Sequence, residues 1–515
     1  MDLSPSGTGA DAEVRAGGLT RIEWWLLSAV VSVAVALRFV TTSPLWLDEA
    51  LSTNIAALGV DGIVDALRQD GHPPLYYVLL HGWTTVFGAG DVAVRALSGV
   101  FALATLPLAW IAGRRRAGAP GGAMVLLLVA VAPYSLRYAT EARMYAMASF
   151  LGLAAWLVAD DLRRAPDRRR WAVLAGLTGA LLLTHYWAIY LGLAAVLLLA
   201  RRWWRSGARS EALRVGSALA GGAVLFLPWL PSFLYQATHT GTPWGTATRP
   251  TRAVVELAGG LGGGETFAEG LMFGFAMLLL AFVGLTLVRV SGPDLTLRLS
   301  TAPAVRSEMA LVALTLAIGL TVGAVSNATF VARYAAVVMP LLLVAAGVGL
   351  ARLPAPWPRR LAAMGLVALA SIGALFNVID DRTQGAEVAA VVNDGSAPGD
   401  LVVFCPDQLG PSTLRALDPA LDAVGVPALE RPDRIDWVDY ADRNRSASAD
   451  AVGAEILERA RDQTIWLVDA GTYRTYESLC PGLRAVLGAA RPSHEVVLAP
   501  DSDVFEPATL TRYDP

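Results

Sequence analysis

Long apolar stretches interrupted by clusters of arginine are the feature that most constrains this chain. A helix needs roughly 20 apolar residues to cross the hydrocarbon core of a bilayer, and segments such as 309–327 and 361–379 come close to that length. Because 55% of the residues are hydrophobic and only 17% are charged, the composition is that of a membrane protein. The sequence therefore predicts an α-helical polytopic membrane protein that is surrounded by membrane lipids.

The arginine clusters predict how the chain crosses the membrane. We expect about eleven spans from length and hydropathy, near 23–43, 92–112, 121–137, 143–159, 171–184, 186–200, 215–234, 270–288, 309–327, 335–350 and 361–379. Cytoplasmic loops carry an excess of basic residues, and here every second loop is rich in arginine. The tail 1–22 is then cytoplasmic, whereas the loop 44–91 and everything after residue 380 lie outside. The glycine-rich stretch 259–264 is interpreted as an external loop.

The last part of the chain has the composition of a soluble domain. Strand-like runs at 401–405, 464–468 and 495–498 alternate with polar helical stretches, which predicts a small α/β domain over residues 381–515 beside the membrane domain 23–380. The only two cysteines, Cys405 and Cys480, both lie in this domain. An oxidising compartment permits them to form a disulfide, and the sequence leaves open whether they do.

Two adjacent carboxylates, Asp48 and Glu49, follow the first span directly. Charged groups at this depth are costly unless they are used, which makes the pair a candidate for catalysis. The alternative is that they lie in water at the level of the lipid headgroups or cap the next helix. The net charge of −3 does not indicate a nucleic-acid partner.

Further polar motifs occur at the predicted external ends of other spans. The first is His72-Pro-Pro-Leu-Tyr76-Tyr, in which a histidine at the membrane face can approach a lipid phosphate or simply end a helix. The second is the link between the third and fourth spans, which contains Arg137, Glu141 and Arg143. These three residues could equally form an internal ion pair that fastens two helices.

The order of these motifs resembles that of the GT-C glycosyltransferases. Leu-Asp-Glu, His-Pro-Pro-Leu-Tyr-Tyr, Thr-Glu-Ala-Arg-Met-Tyr-Ala and Thr-His-Tyr-Trp follow one another along the chain. More narrowly, the chain resembles glycosyltransferase family 39 and its bacterial relatives, the branch with the protein O-mannosyltransferases and the lipid A aminoarabinose transferase. The resemblance covers roughly residues 20–380 and implies a GT-C fold.

The resemblance also implies roles for individual residues. Asp48 matches the family's catalytic base, with Glu49 as second choice and Glu141 as a supporting residue. His72 occupies the position at which the family often has a lysine that contacts the donor phosphate, and a histidine is only partly charged at neutral pH. The other candidate phosphate ligands are Arg137, Arg143 and Arg333, and the candidates for the substrate pocket are Tyr76, Tyr145, His185 and Tyr186.

The function implied by the resemblance is inverting transfer of a sugar from a polyprenyl-phosphate donor to an acceptor hydroxyl, at the outer face of a bacterial cytoplasmic membrane. Mannose is the favoured sugar, arabinose or another sugar stays open, and the acceptor is a glycan, a lipid or a protein. No metal ligands are assigned, although carboxylates beside a phosphate would suit Mg²⁺ or Mn²⁺. The competing hypothesis is a transporter or flippase of a lipid-linked saccharide, which would need charges along a central path.

Overall fold

The structure is a computed structural model that describes residues 19–515 except 265–266, 284, 292–293, 300–302, 354–356, 472–473 and 477. Most of the predicted cytoplasmic tail therefore lies outside the described residues. The membrane domain contains the helices α1 (Arg21–Leu37), α2 (Leu47–Ala56), α3 (Val60–Asp70), α4 (Leu75–Phe87), α5 (Asp91–Val131), α6 (Pro133–Ala139), α7 (Tyr145–Arg164), α8 (Arg168–Leu182), α9 (Trp187–Ser206), α10 (Arg209–Phe226), α11 (Leu230–His239), α12 (Pro250–Gly262), α13 (Ala268–Leu278), α14 (Arg306–Ser326), α15 (Met339–Ala351) and α16 (Trp357–Ile379).

The helices confirm a multi-pass α-helical membrane protein. Among the described residues, five helical segments are long and apolar enough to cross a membrane, namely Asp91–Val131, Tyr145–Arg164, Arg209–His239, Pro303–Ser326 and Trp357–Ile379. The remaining predicted spans coincide with helices that are shorter or less apolar, so the total of about eleven stays a prediction.

Helix α5 contains a sharp break that separates two of the predicted spans. Ala117 and Gly118 have non-helical backbone angles, and Gly118 has a φ of 64°, a value that glycine adopts without steric cost. The break follows the arginine cluster 114–116 directly, as expected for a short loop between the predicted spans 92–112 and 121–137.

Two predicted elements differ from the structure. The span predicted at 270–288 ends early: α13 stops at Leu278, a π turn covers Leu279–Val283, and the antiparallel strands β1 (Leu285–Ser291) and β2 (Asp294–Leu299) follow. The β2 sequence alternates polar and apolar residues with a period of two, and β1 does so on either side of Val288, where the register shifts. This alternation favours strands over a continuing helix. The mean hydropathy, on which the predicted span was based, does not show this change in the spacing of apolar residues.

The glycine-rich stretch 259–264 is helical for most of its length and is not the predicted loop. Helix α12 continues to Gly262 and packs against α13 at very short range. A Cβ added to Gly262 would lie 1.9 Å from the carbonyl oxygen of Gly270, and one added to Gly274 would lie 1.9 Å from that of Ala258. Glycine is needed here because two helix backbones approach each other closely.

The C-terminal segment forms the predicted small α/β domain. Its helices are α17 (Gly385–Gly395), α18 (Gly410–Thr413), α19 (Tyr440–Ser446), α20 (Ala449–Ala460) and α21 (Leu479–Ala490), and its strands are β3 (Leu401–Cys405), β4 (Asp422–Gly425), β5 (Ile465–Asp469), β6 (His494–Leu498) and β7 (Thr509–Tyr513). The strand order is β4-β3-β5-β7-β6, with β4, β3 and β5 parallel and β7 antiparallel to both of its neighbours. Cys405 and Cys480 are joined by a disulfide that links the end of β3 to α21.

Candidate active site

The first turn of α2 carries the two adjacent carboxylates, Asp48 and Glu49. Neighbouring residues of an α-helix point about 100° apart because a turn contains about 3.6 residues. The two side chains therefore enter different surroundings: the Asp48 side chain is 16% exposed, whereas that of Glu49 is completely buried.

Glu49 is enclosed by donors from three other segments. Arg95 of α5 donates to both carboxylate oxygens at 2.7 and 2.6 Å, Arg382 lies 3.3 Å away, and the backbone N–H of Ala142 donates at 2.9 Å. Burial alone would raise the pKa of Glu49, but the hydrogen bonds and charges of the two arginines hold it below its ordinary value. This arrangement makes Glu49 a charged anchor between α2, α5 and the segment after α16.

Asp48 lies between two arginines and remains accessible. Its Oδ2 is 3.8 Å from Nε of Arg143 and 3.8 Å from Nη2 of Arg333. The guanidinium of Arg333 also lies 5.5 Å from the ring of Trp46 and 5.9 Å from that of Trp244, within the range of cation–π contacts. The site thus combines one accessible carboxylate with two oriented cations.

His72 joins the cluster of Asp48, Arg143 and Arg333 through its contact with Arg143. Its Nδ1 is 2.7 Å from Oδ2 of Asp70, and its Nε2 is 3.1 Å from Nη2 of Arg143. A guanidinium can only donate, so Nε2 accepts and the proton of the imidazole is on Nδ1, bonded to Asp70. Burial would raise the pKa of Asp70, but His72 and Arg143 hold it below its ordinary value, and Tyr77 also donates to this carboxylate.

Arg137 and Glu141 form a neighbouring pair. Nε of Arg137 lies 3.3 Å from the carboxylate of Glu141, which is 1% exposed. Among the donors and acceptors of the described residues, neither Glu141 oxygen has a hydrogen-bond partner. Glu141 is the chain neighbour of Ala142, whose N–H donates to Glu49. The pair therefore lies beside Glu49 and not between Asp48 and its two arginines.

The four aromatic pocket candidates separate into two groups. Tyr145 and His185 lie in one row of rings, 5.8 Å apart, and His185 is 6.0 Å from Tyr334, the neighbour of Arg333. The hydroxyl of Tyr76 instead bonds Ser98 at 3.0 Å. The hydroxyl of Tyr186 accepts from Trp229 at 2.9 Å and donates to Gln236. Tyr145 and His185 thus adjoin the cluster, whereas the other two hydroxyls are bonded to supporting residues.

Several residues of the cluster were not identified from the sequence, namely Asp70, Tyr77, Arg95, Arg382 and Glu506. An arginine within an apolar helix, such as Arg95, is the one sequence signal that could have indicated a buried carboxylate partner. The others become visible only when distant segments meet. Among the described residues, no group of three or more His, Cys, Asp or Glu side chains could hold a metal ion, and the hypothesis of Mg²⁺ or Mn²⁺ stays untested.

The chain is similar to known glycosyltransferases in sequence and in fold. Residues 71–231 match the family model described as dolichyl-phosphate-mannose-protein mannosyltransferase. The crystal structure of ArnT from Cupriavidus metallidurans in the apo state is 16% identical, with a TM-score of 0.63 and coverage of 96% of this chain and 98% of that one. The structure of the same protein bound to undecaprenyl phosphate is also 16% identical, with a TM-score of 0.53 and the same coverage. No curated protein sequence matches the chain significantly.

These findings confirm the resemblance to the GT-C glycosyltransferases of family 39 and the GT-C fold with its C-terminal α/β domain. At 16% identity the structural similarity concerns the fold alone. The roles of the individual residues stay predictions.

Proposed function

We propose that the chain is an inverting glycosyltransferase that moves a sugar from a polyprenyl-phosphate carrier to an acceptor hydroxyl at the outer face of a bacterial cytoplasmic membrane. The observation that carries the proposal is the accessible Asp48 carboxylate between Arg143 and Arg333, with His72 bonded to Arg143. The sequence match to a mannosyltransferase family and the full-length similarity to a protein that binds undecaprenyl phosphate support the class of donor.

Asp48 acts as the general base in this mechanism. It accepts the proton of the acceptor hydroxyl as the acceptor oxygen forms a bond to the anomeric carbon. The bond from that carbon to the phosphate oxygen breaks at the same time, and the carrier leaves as a polyprenyl phosphate. Direct displacement inverts the anomeric carbon and needs no covalent glycosyl-enzyme. General-base assistance of this kind contributes roughly 10²–10⁴-fold to the rate.

Arg143 and Arg333 bind the donor phosphate in this mechanism, and His72 orients Arg143 through Nε2. The imidazole itself can donate to the phosphate only when Nε2 takes up a proton and releases Arg143. Nε of Arg143 and Nε of Arg333 are buried without a hydrogen-bond partner among the described residues, so each can donate to a phosphate oxygen. The bond between Asp70 and Nδ1 of His72 orients the imidazole so that Nε2 faces the same cluster. Asp70 thus has the role of the carboxylate that fixes a histidine ring.

Mannose is the first sugar to test, and the acceptor class is a glycan, a lipid or a protein. Purified protein in lipid would be offered a panel of polyprenyl-phosphate sugars together with each class of acceptor. Wild type would be compared with Asp48→Asn, and Asp61→Asn serves as the matched control because Asp61 is an exposed acid in the same loop. We expect glycosylated acceptor and free polyprenyl phosphate to appear in equal amounts. Movement of intact donor across the membrane without phosphate release would contradict the proposal and favour a flippase.

A further inference from the structure

Helix α2 packs directly into the core of the C-terminal domain. Trp46, Leu47 and Leu51 are buried in one apolar cluster with Val403 and Val424 of the parallel strands, among other residues of that domain. The helix that carries Asp48 is therefore enclosed by both domains, with an apolar side toward the α/β domain and Asp48 toward the arginines of the membrane domain.

The C-terminal domain also supplies a polar contact at the beginning of α2. The first N–H groups of a helix have no partner within the helix, and the N-cap residue here, Trp46, has no side chain that accepts a hydrogen bond. Oε1 of Glu506 accepts from the backbone N–H of Leu47 at 2.8 Å, across 459 residues of sequence. A carboxyl oxygen at this position does what an N-cap side chain ordinarily does.

Glu506 is held firmly in its own segment, the connection between β6 and β7. Its N–H donates to the carbonyl of Arg382 at 3.0 Å, and its carbonyl accepts from the N–H of Gln384 at 3.2 Å. The side-chain oxygen of Gln384 accepts from Asp501 and Ala508, 2.8 Å each, which fastens both ends of the connection. Because Arg382 also binds Glu49, the connection and α2 are linked at two points.

We propose that Glu506 is a positioning residue that holds the first turn of α2 so that Asp48 meets the acceptor hydroxyl. The C-terminal domain is then part of the catalytic site and not only an appended domain. This inference rests on the proposed function of Asp48. A displacement of about 1 Å at a reacting group can lower a rate about 100-fold, so a lost contact one residue from Asp48 is expected to affect turnover.

The test compares Glu506→Ala and Glu506→Gln, with Asp503→Ala as a matched control because Asp503 is exposed in the same connection. We expect Glu506→Ala to lower kcat at least about tenfold and to change the Kd for undecaprenyl phosphate less than about twofold, because the phosphate ligands are untouched. Glu506→Gln keeps an oxygen that accepts from Leu47 and should retain most of the wild-type kcat. Asp503→Ala should behave as wild type.

Three results would overturn the inference: wild-type kcat in Glu506→Ala, an equal loss of kcat and carrier binding, or a Glu506→Gln variant as slow as the alanine variant. Amide hydrogen exchange over residues 47–56 gives a reading that does not need sugar transfer. Exchange should accelerate in Glu506→Ala and not in Glu506→Gln, and unchanged exchange in both would overturn the inference. A wild-type protein that transfers no sugar, with exchange as expected, would instead reject the proposed function.

Discussion

At the scale of single residues, the environment of a carboxylate decides its role more than its position in a motif. Asp48 and Glu49 are neighbours in sequence, but one faces two arginines at 3.8 Å and is partly exposed, whereas the other is completely buried and bonded on both oxygens. A group that takes a proton from a substrate must be accessible, and a buried ion pair instead fixes structure. We therefore assign the proton transfer to Asp48.

Substitution of Glu49 tests this division of roles. Glu49→Gln leaves Arg95 and Arg382 without their buried carboxylate, and removing one partner of such a pair typically costs about 3–5 kcal/mol. We expect a clearly lower midpoint of thermal unfolding in lipid nanodiscs, whereas Asp48→Asn should unfold near the wild-type temperature. Equal midpoints for Glu49→Gln and wild type would contradict the anchoring role.

The pH dependence of stability tests the environment of Glu506. Burial, together with the nearby carboxylates Asp48 and Glu49, raises the pKa of Glu506 from 4.5 to about 8. A carboxyl whose pKa is higher in the folded state binds its proton more tightly there, so it lowers the free energy of unfolding as pH rises from about 4.5 to about 8, by about 1.4 kcal/mol per pH unit. The loss is complete above the folded pKa.

Glu506→Gln removes this titration. We expect the variant and the wild type to have similar unfolding midpoints at pH 5, and the variant to become progressively more stable than the wild type as pH rises to 8. Thermal unfolding at a series of pH values measures the difference. Parallel curves for the two proteins over this range would show that Glu506 does not titrate as described.

At the scale of elements, hydropathy predicted most of the helices of the membrane domain, and arginine placement predicted the break in α5. Prediction from mean hydropathy failed where the spacing of the apolar residues along the chain decided the structure. The first residues of β1 are apolar enough to have been counted as the end of the span predicted at 270–288. The glycines of α12 resemble a loop unless the neighbouring helix is known. The composition of a short segment does not show how closely two helices pack.

The packing of α12 against α13 gives a prediction at this scale. Gly274→Ala would place a Cβ 1.9 Å from the backbone oxygen of Ala258, whereas a Cβ on Gly365 of α16 has no atom within 4 Å. Overpacking typically costs about 1–3 kcal/mol, and a backbone contact cannot move aside as a side chain can. We expect Gly274→Ala to lower the unfolding midpoint and Gly365→Ala to leave it unchanged or raise it, because alanine is the better helix former. Equal midpoints for the two variants would contradict this close packing.

At the scale of the whole molecule, the resemblance predicted the fold and named several residues that lie close together in it. Asp48, His72, Arg143 and Arg333 were all named from motifs, and the structure places them in one cluster. The supporting contacts were not predictable because their partners are far apart along the chain: 333 residues separate Glu49 from Arg382, and 459 separate Leu47 from Glu506. A single sequence contains no record of such pairs.

The contacts of α2 join what the sequence divides into two domains. The predicted boundary at residue 381 lies next to Arg382, whose side chain enters the buried carboxylate cluster and whose backbone binds Glu506. Helix α2, which carries the proposed base Asp48, thus has its nearby cations in the membrane domain and its apolar packing against the α/β domain. We infer that the two domains act as one catalytic unit.

The most direct test of the proposed mechanism is sugar transfer by purified, lipid-reconstituted Asp48→Asn protein, measured beside its Kd for undecaprenyl phosphate and its unfolding midpoint. The account predicts a fall in transfer of roughly 10²–10⁴-fold, with carrier binding and unfolding close to those of the wild type. Undiminished transfer by the folded variant would contradict the central claim, because the proton of the acceptor would then go to another group.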